Sequence, residues 1–300
     1  MKFIKSPLEC IGNTPLIKLE HMCDHGSIFG KAEFLNPGGS IKDRVAKHIL
    51  TTALKNGQII PGKTTVIEAT SGNTGIGMAL VGGCLGFDVI IVMPENMSEE
   101  RKKIITALGA RLVLTPAEES LDGCIAMVQK LKQECEHAYI PNQFTNLLNP
   151  EIHFTTTAQE IWDALEGQID VFVAGVGSGG TLQGVGSFLK SKNPDVRIVA
   201  VEPRNNSAFL QREPGLHQIQ GIGDGFIPDV LDPNIIDMVI TVTDDDAISV
   251  TRQLAKTEGL LVGTSSGANI WAALELATPK RNVVTVLPDR AERYFSTALI

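Results

Sequence analysis

A lysine follows a glycine-rich turn near the start of this 300-residue chain. Residues 36–44 read Asn-Pro-Gly-Gly-Ser-Ile-Lys-Asp-Arg, in which the proline and paired glycines end a strand and Ser40 is a candidate N-cap. Lys42 is therefore predicted in the first turn of a helix. The positive helix end, with partial burial, lowers the pKa of an ammonium group and makes its amine a better nucleophile. Taken alone, however, the segment is explained more simply by a solvated lysine.

A second turn, residues 68–75, joins a strand to a helix and reads Glu-Ala-Thr-Ser-Gly-Asn-Thr-Gly. Its hydroxyl, amide and free backbone N–H groups lie at a helix N-terminus, where they are able to bind a carboxylate or a phosphate. The same residues are equally suited to capping the helix and nothing more. The sequence of this segment does not separate the two interpretations.

A third turn, residues 175–181, reads Gly-Val-Gly-Ser-Gly-Gly-Thr, again between a strand and a helix. Gly175, Gly177 and Gly180 satisfy the dinucleotide pattern G-x-G-x-x-G, and Glu202 ends the next strand about 20 residues later, as in NAD-binding proteins. The broader interpretation is an anion cradle that binds the phosphate of some ligand. Both interpretations predict a phosphate at this turn.

A fourth turn, residues 263–267, reads Gly-Thr-Ser-Ser-Gly and precedes a helix predicted to begin near Ala268. Its small polar residues interrupt an apolar stretch, which indicates that they face a ligand. Capping of the helix by Ser265 or Ser266 explains the segment equally well.

The four turns together are more informative than any one of them. An NAD enzyme has no need of the lysine, the Thr-Ser-Gly-Asn-Thr-Gly turn and the double serine, whereas a cofactor with an aldehyde, a phosphate and a ring nitrogen needs a partner for each.

The elements that position these turns alternate between strands and helices. Strands are predicted at residues 64–69, 89–93, 111–115, 171–175, 198–202, 238–242 and 282–287, and helices at 75–85, 98–108, 121–134, 181–191 and 244–257. Near-continuous apolar runs such as 89–93 indicate strands that are buried on both faces. The fold class is therefore α/β, with helices covering twisted, mostly parallel sheets, and ligands are expected where strands run into glycine-rich turns.

Composition narrows the possible partners. The formal net charge of −8 and the pI near 5.3 argue against nucleic acid or an anionic membrane as a partner. The sequence contains no apolar run of the roughly 20 residues that span a bilayer, and no secretory signal is expected at its N-terminus. Five scattered cysteines are typical of reduced thiols in the cytoplasm. The His-Met-Cys-Asp-His run at 21–25 is interpreted as a surface turn, and no metal site is predicted.

The order of the motifs closely resembles the cysteine synthase (O-acetylserine sulfhydrylase) and cystathionine β-synthase family of fold-type-II pyridoxal-phosphate enzymes. The resemblance runs nearly end to end, through Ile-Gly-Asn-Thr-Pro-Leu at 11–16, the turns described above, Asn-Pro-Glu-Ile-His-Phe at 149–154, Gly-Ile-Gly at 221–223 and Glu-Arg-Tyr at 292–294. It implies two lobes with the cofactor in the cleft between them. Residues 35–145 are expected to form the smaller lobe, and residues 1–34 with 146–300 the larger, since 141–150 is a loop-rich junction.

The resemblance also implies roles for individual residues. Lys42 is the Schiff-base lysine and carries the α-proton, Asn73 bonds the ring hydroxyl of pyridoxal phosphate, and Ser265 faces the ring nitrogen. The residues expected to hold the cofactor phosphate are Gly177, Ser178, Gly179, Gly180 and Thr181. The residues expected to bind the amino-acid substrate are Thr70, Ser71, Gly72, Thr74, Gln143 and Gly221. A neutral serine beside the ring nitrogen weakens the electron sink, which favours prompt loss of a β-leaving group over transamination.

The sequence departs from the plain cysteine synthases at Asp224, where we expect a small apolar residue. This carboxylate is either solvated or acts on the second substrate, by orienting water, by holding an incoming ammonium group, or by repelling sulfide. The principal expectation is cysteine synthesis from O-acetylserine and sulfide. The alternatives are a cysteine lyase that releases hydrogen sulfide with Asp224 as base, a cystathionine β-synthase-like enzyme, and, outside the family, an NAD- or phosphate-binding protein.

The resemblance carries expectations about assembly and location as well. It implies a homodimer in the cytoplasm, with a serine acetyltransferase as a possible partner if the enzyme is biosynthetic. Because the sequence reaches Ile300 shortly after the Glu-Arg-Tyr motif, we expect no appended regulatory or haem-binding domain, which argues against a regulated cystathionine β-synthase.

Overall fold

The computed structural model describes residues 3–24, 26–70, 72–212 and 215–299. Its strands are β1 (Leu16–Lys18), β2 (Ser27–Lys31), β3 (Thr65–Ala69), β4 (Asp88–Pro94), β5 (Arg111–Thr115), β6 (Ala138–Tyr139), β7 (Val171–Gly175), β8 (Arg197–Pro203), β9 (Met238–Val242) and β10 (Asn282–Val286). Its helices are α1 (Lys42–Lys55), α2 (Asn73–Leu85), α3 (Glu99–Ala107), α4 (Ser120–Glu134), α5 (Leu148–Ile152), α6 (Ala158–Ala164), α7 (Gly180–Lys192), α8 (Asp244–Thr257) and α9 (Thr264–Leu276). A π-helical segment, His153–Thr157, joins α5 to α6.

The strands form two sheets. One has the order β1-β2-β10-β7-β8-β9, in which β1 is antiparallel to β2 and the other neighbours are parallel. The other has the order β5-β4-β3-β6 and is parallel throughout. The α/β class with parallel sheets is therefore confirmed. The four-stranded sheet uses chain from 65 to 139 and the six-stranded sheet uses the rest, while the lobe boundaries at 35 and 145 stay a prediction.

Both faces of each sheet are covered, as the unbroken apolar runs predict. In β4, Val89 and Ile91 pack with α1 and α2, whereas Ile90 and Val92 pack with α4 on the opposite face. The central strand β7 alternates in the same way between a cluster that includes α9 and a cluster that includes α7. Two-sided burial leaves the ends of the strands as the places where polar side chains are able to meet a ligand.

Two local predictions about helix starts are wrong. The last helix begins at Thr264 rather than near Ala268, with Gly263 as its N-cap, so Ser265 and Ser266 lie inside its first turn and do not cap it. Ser40 is not the N-cap of α1 either, because Ile41 takes that position; the Ser40 hydroxyl instead accepts the Lys42 N–H at 3.2 Å.

None of the helices in the described part of the chain combines the length and the apolar character needed to cross a bilayer. The same residues contain no cluster of three or more His, Cys, Asp or Glu side chains arranged for a metal ion. His25, part of the run interpreted as a surface turn, lies outside the described residues.

Candidate active site

A cavity is lined by the turns that follow strands of both sheets. We call it the inner cavity. It gathers most of the residues that the sequence singled out: Lys42, Thr70, Asn73, Thr74, Gln143, Gly177, Ser178, Gly179, Thr181, Gly221, Asp224 and Ser265. Gly72 and Gly180 belong to the same turns without lining the cavity, and Ser71 lies outside the described residues. Segments up to 223 residues apart in sequence are thus brought to one place by the strand ends.

Lys42 is the first residue of α1 and reaches across to the turn after β7. Its Nζ donates a hydrogen bond of 2.7 Å to Ser178 Oγ. Burial lowers the pKa of the ammonium to about 8, although the negative charges of Asp224 and Glu68 act in the opposite direction. An amine with this pKa is available as a nucleophile near neutral pH, where an ordinary lysine is not.

The turn between β7 and α7 is shaped as an anion cradle. Gly179, the N-cap of α7, has a φ of +78°, a conformation that favours glycine. Glycine at 177 is required by a close approach, because an added Cβ would overlap the carbonyl oxygen of Gly221. The first N–H groups of α7 have no partners within the helix and point at this turn, as at phosphate-binding helix ends.

Two buried residues that the sequence did not assign support this cradle. Asn149 donates to Ser178 Oγ at 3.1 Å, and its own Oδ1 has no hydrogen-bond partner. His153 contacts Thr181 Oγ1 at 3.4 Å, and its pKa lies well below the ordinary value because of burial and the positive charges of Lys42 and Arg44. The imidazole is therefore neutral. Both residues lie in the Asn-Pro-Glu-Ile-His-Phe motif, and this motif is the sequence signal that could have identified them as residues of the site.

The turn between β3 and α2 presents neutral donors. Thr74 donates to Gln143 Oε1 at 2.7 Å, and Thr70 Oγ1 accepts the N–H of Gly72 at 3.1 Å. The buried carboxylate of Glu68 accepts the backbone N–H groups of Asn142 and Gln143 at 3.0 and 3.4 Å, which fixes the segment that carries Gln143. Burial raises the pKa of Glu68 to about 7. The sequence placed Glu68 at the end of a strand but gave it no role.

Asn73 is held at both ends of its amide. Its Nδ2 donates to Asp289 at 2.6 Å, and its Oδ1 accepts from Arg293 at 2.7 Å. The phenol of Tyr294 also donates to Asp289 at 2.6 Å. These charged partners determine the orientation of the amide, which leaves one Nδ2 hydrogen for a ligand. Sequence reasoning included 292–294 in the family resemblance but did not connect it to Asn73.

Ser265 and Asp224 complete the lining of the cavity. Ser265 is buried in the first turn of α9. Asp224 lies between two glycines with positive φ, Gly223 (+74°) and Gly225 (+85°), at the open side. Its side chain is exposed, yet the surrounding protein raises its pKa while the charges of Lys42 and His217 oppose the rise. None of the described residues donates a hydrogen bond to it.

The arrangement fits a cofactor that carries an aldehyde, a phosphate, a ring hydroxyl and a ring nitrogen. A buried amine of lowered pKa, an α-helix N-terminus with a glycine turn, the oriented amide of Asn73 and the hydroxyl of Ser265 all line one cavity. The dinucleotide alternative fits less well. Glu202, which it requires for a ribose, is buried and accepts from Ser207 Oγ and the N–H of Ala208.

Comparisons with known proteins agree with this arrangement. A family model described as pyridoxal-phosphate dependent enzyme matches residues 8–289. Cysteine synthase of Staphylococcus aureus is 47% identical over 298 residues, which cover 97% of this chain and 95% of that protein. The crystal structure of an O-acetylserine dependent cystathionine β-synthase from Helicobacter pylori is 40% identical, covers 100% of this chain and 99% of the other, and gives a TM-score of 0.94. That of a hydrogen sulfide-producing enzyme from Fusobacterium nucleatum is 38% identical, covers 98% and 99%, and gives a TM-score of 0.94.

These matches extend over nearly the whole chain and include both sheets and all four turns. They confirm the resemblance seen in the sequence, and the dinucleotide alternative for residues 175–181 is set aside. The chain belongs to the family of pyridoxal-phosphate-dependent enzymes, with pyridoxal phosphate as its cofactor.

Proposed function

We propose that the enzyme performs β-replacement on a three-carbon amino acid, as a cysteine synthase that joins O-acetylserine and sulfide. The observation that carries the proposal is the amine of Lys42, which has a pKa near 8 and lines the same cavity as Thr70, Thr74 and Gln143. Those neutral donors suit the α-carboxylate of an amino acid. The amine then lies where it is able to act on the α-carbon.

Pyridoxal phosphate, when bound, supplies an electron sink for negative charge at the α-carbon. The residues of the chain do the rest. In this proposal Lys42 attaches the cofactor, removes the α-proton and returns it, while Ser178 accepts a hydrogen bond from its amine. The residues that hold the cofactor are Lys42, Asn73, Gly177, Ser178, Gly179, Gly180, Thr181 and Ser265. The neutral hydroxyl of Ser265 limits the electron sink and so favours departure of a β-substituent.

Asp224 supports a second candidate, a cysteine lyase that releases hydrogen sulfide. A carboxylate that accepts no hydrogen bond from the described residues, at the open side of the cavity, is suited to take a proton from water or a thiol, and its negative charge repels hydrosulfide. The hydrogen sulfide-producing enzyme from Fusobacterium nucleatum is among the similar structures. In the lyase reaction, water or a second thiol replaces the sulfur at the β-carbon, and the displaced sulfur leaves as hydrogen sulfide.

A product assay separates the two candidates. The yellow holoenzyme receives either O-acetylserine with sulfide or L-cysteine alone, and the amino-acid products are identified by mass while sulfide is followed. Formation of cysteine from the first mixture supports the synthase. Rapid sulfide release from cysteine, with serine or lanthionine as product, supports the lyase. Failure of both reactions would overturn β-replacement.

Assembly and location follow from the same proposal. We infer a homodimer located in the cytoplasm, and a serine acetyltransferase as partner if the synthase reaction is the physiological one. Light scattering of the purified holoenzyme tests the dimer, and a mass equal to one 32.2 kDa chain would contradict it.

A further inference from the structure

One buried carboxylate, that of Glu33, closes the turn that leads into α1. Glu33 is fully buried. Its Oε2 accepts hydrogen bonds from Asn36 Nδ2 at 2.9 Å and from Arg44 Nε at 2.8 Å, and its Oε1 accepts from Arg44 Nη2 at 2.8 Å and from the hydroxyl of Thr14 at 2.6 Å. Asn36 and Arg44 are the first and last residues of the segment 36–44. Glu33 therefore holds both ends of the segment in which the cofactor lysine lies.

Arg44 joins Glu33 to a second acid. Its guanidinium binds Glu160 through Nη1 and Nη2, each at 2.7 Å, and the amine of Lys31 lies 2.6 Å from the same carboxylate. Although burial acts in the opposite direction, the hydrogen bonds and charges of Arg44 and Lys31 lower the pKa of Glu160 to about 2. Buried ion pairs add little to stability in comparison with apolar side chains, because removing charges from water is costly. What the directional bonds of this cluster supply is a fixed position.

Another carboxylate fixes the same turn from within. Asp43, which follows Lys42 in the chain, is fully buried, and its Oδ2 accepts the backbone N–H of Gly38 at 2.6 Å. Glycine is required at position 38, because an added Cβ would overlap the carboxylate of Asp43. The turn is thus bound to Glu33 at its two ends and to Asp43 at its middle, which restricts the backbone that carries Lys42.

Glu33 also connects the two sheets. It lies two residues beyond the end of β2, and the N–H of the next residue, Phe34, donates to the carbonyl of Leu287, just after β10, at 3.1 Å. Glu33 is therefore attached to the six-stranded sheet, as is the turn that carries Ser178. Helix α1, in contrast, packs on the four-stranded sheet. The bonds from Arg44 to Glu33 thus hold the first turn of α1 to the sheet that carries the anion cradle.

We propose that Glu33 is a positioning residue, which holds the amine of Lys42 at the distance from the anion cradle at which it attaches the cofactor. The hydrogen bond of 2.7 Å from Lys42 Nζ to Ser178 Oγ is the contact that this distance produces. The inference rests on the role of Lys42 in the proposed function and adds the residue that fixes its position. Attachment joins the neutral amine to the aldehyde of pyridoxal phosphate and releases one molecule of water, so no other reactant is required.

The variant E33Q and two ligands test the proposal on the full chain freed of its cofactor. Pyridoxal phosphate reacts with the lysine, whereas pyridoxine phosphate has the same ring and phosphate but no aldehyde and binds without attachment. A glutamine oxygen has two lone pairs, so E33Q is able to accept at most two of the four hydrogen bonds. A displacement of about 1 Å costs a reacting group about 100-fold in rate.

We therefore expect E33Q to attach pyridoxal phosphate about ten-fold or more slowly than wild type. The Kd of pyridoxine phosphate should stay the same, because the anion cradle is left intact. Stopped-flow absorbance measures the rate of attachment, and calorimetry measures the Kd. A loss of folding would weaken the binding of both ligands, so the difference between them reports on the position of the amine.

A matched control and a second variant keep the test decisive. E20Q makes the same change at an exposed glutamate and should alter neither quantity. R44K keeps the positive charge, and hence the charge balance of the cluster, but a lysine cannot make the paired bonds of a guanidinium to two carboxylates. It should slow attachment and spare the binding of pyridoxine phosphate, even if E33Q fails to fold. An unchanged rate of attachment in R44K or in folded E33Q, or parallel losses for both ligands, would overturn the inference.

The failure of this inference is distinguishable from failure of the proposed function. After reduction with borohydride, the masses of proteolytic peptides show which lysine carries the cofactor. If the wild type carries it on a residue other than Lys42, or if K42A takes it up at the wild-type rate, the proposed function is wrong at its first step. If the wild type carries it on Lys42 and E33Q reacts equally fast, only the role of Glu33 is wrong.

Discussion

Asn73 Nδ2 donates to Asp289 at 2.6 Å across a sequence separation of 216 residues. The bond joins the first residue of α2 to the turn after β10 and so connects the two sheets through Asn73, which lines the inner cavity. Asp289 is fully buried and also accepts from Tyr294, so two donors hold its carboxylate. The amide of Asn73 consequently has one orientation before any ligand binds, which is the condition for a preorganised site.

Replacing Asp289 by asparagine should weaken cofactor binding. The substitution removes a charged acceptor from Asn73, and hydrogen bonds to charged groups contribute about 1.5–3 kcal/mol, so we expect roughly a ten- to hundred-fold rise in the Kd of pyridoxal phosphate. Titration of the apoenzyme, followed by the visible absorbance of the bound cofactor, measures it. D195N, which changes an exposed aspartate, serves as the control. An unchanged Kd in folded D289N would show that Asp289 does not orient Asn73.

The raised pKa of Glu68 predicts that the stability of the folded protein depends on pH. Burial raises its pKa in the folded protein to about 7 from the ordinary glutamate value of 4.5. Because the folded state then binds the proton more tightly, the contribution of Glu68 to stability is full below pH 4.5 and is lost as the pH rises through 7. The glutamine in E68Q does not ionise, so this variant does not lose the contribution as the pH rises. The free energy of unfolding of E68Q relative to that of wild type should therefore increase by roughly 1–3 kcal/mol between pH 5 and pH 8. Urea unfolding of the apoenzyme measures the difference.

Exposed Glu95 offers the control for that experiment. E95Q should show the same stability difference from wild type at every pH in the range. A constant difference for E68Q as well would mean that Glu68 is ionised throughout and that its pKa is not raised by burial.

Sequence reasoning located the strands and the ligand turns because both depend on local signals. The apolar run at 89–93 and the glycines at 175–181 can each be recognised from a few neighbouring residues. In the structure they form β4 and the turn before α7. The start of α9 was missed because serines favour helix caps, and burial of the first turn overrides that preference here.

Local sequence patterns could not identify the hydrogen-bond partners of the site residues. Asp289 and Arg293 act on Asn73, and Gln220 acts on Arg101, through contacts between segments more than 100 residues apart. Such contacts depend on the order of strands in each sheet and on how the two sheets face one another. No local pattern around Arg101 indicates that its side chain is buried, and only the structure shows it.

Capture of the cofactor should follow the ionisation of Lys42. The amine reacts only when neutral, and its pKa is lowered to about 8 by burial, so the rate at which apoenzyme takes up pyridoxal phosphate should rise with pH and level off above about 8.5. Stopped-flow absorbance between pH 6 and about 10 gives the profile. A rate that continued to rise toward the ordinary lysine pKa of 10.5 would contradict the lowered pKa.

The same profile reports on Asp224. Its negative charge raises the pKa of Lys42, so D224N should move the midpoint of the profile to lower pH. D229N changes an exposed aspartate of the same loop and should leave the midpoint in place. Equal midpoints in wild type and D224N would show that the two groups are too far apart to interact.

Turnover of L-cysteine should depend on Asp224 if its carboxylate takes a proton from the second substrate. We expect D224A to reduce sulfide release about 100-fold, the usual contribution of a general base, while the visible absorbance of the bound cofactor stays the same. Because the surrounding protein raises the pKa of Asp224, sulfide release by wild type should begin to fall at a higher pH than an ordinary aspartate would produce. D229N again provides the control. Unchanged sulfide release in D224A would assign the carboxylate to solvent and leave the synthesis of cysteine from O-acetylserine as the reaction to which the cavity is adapted.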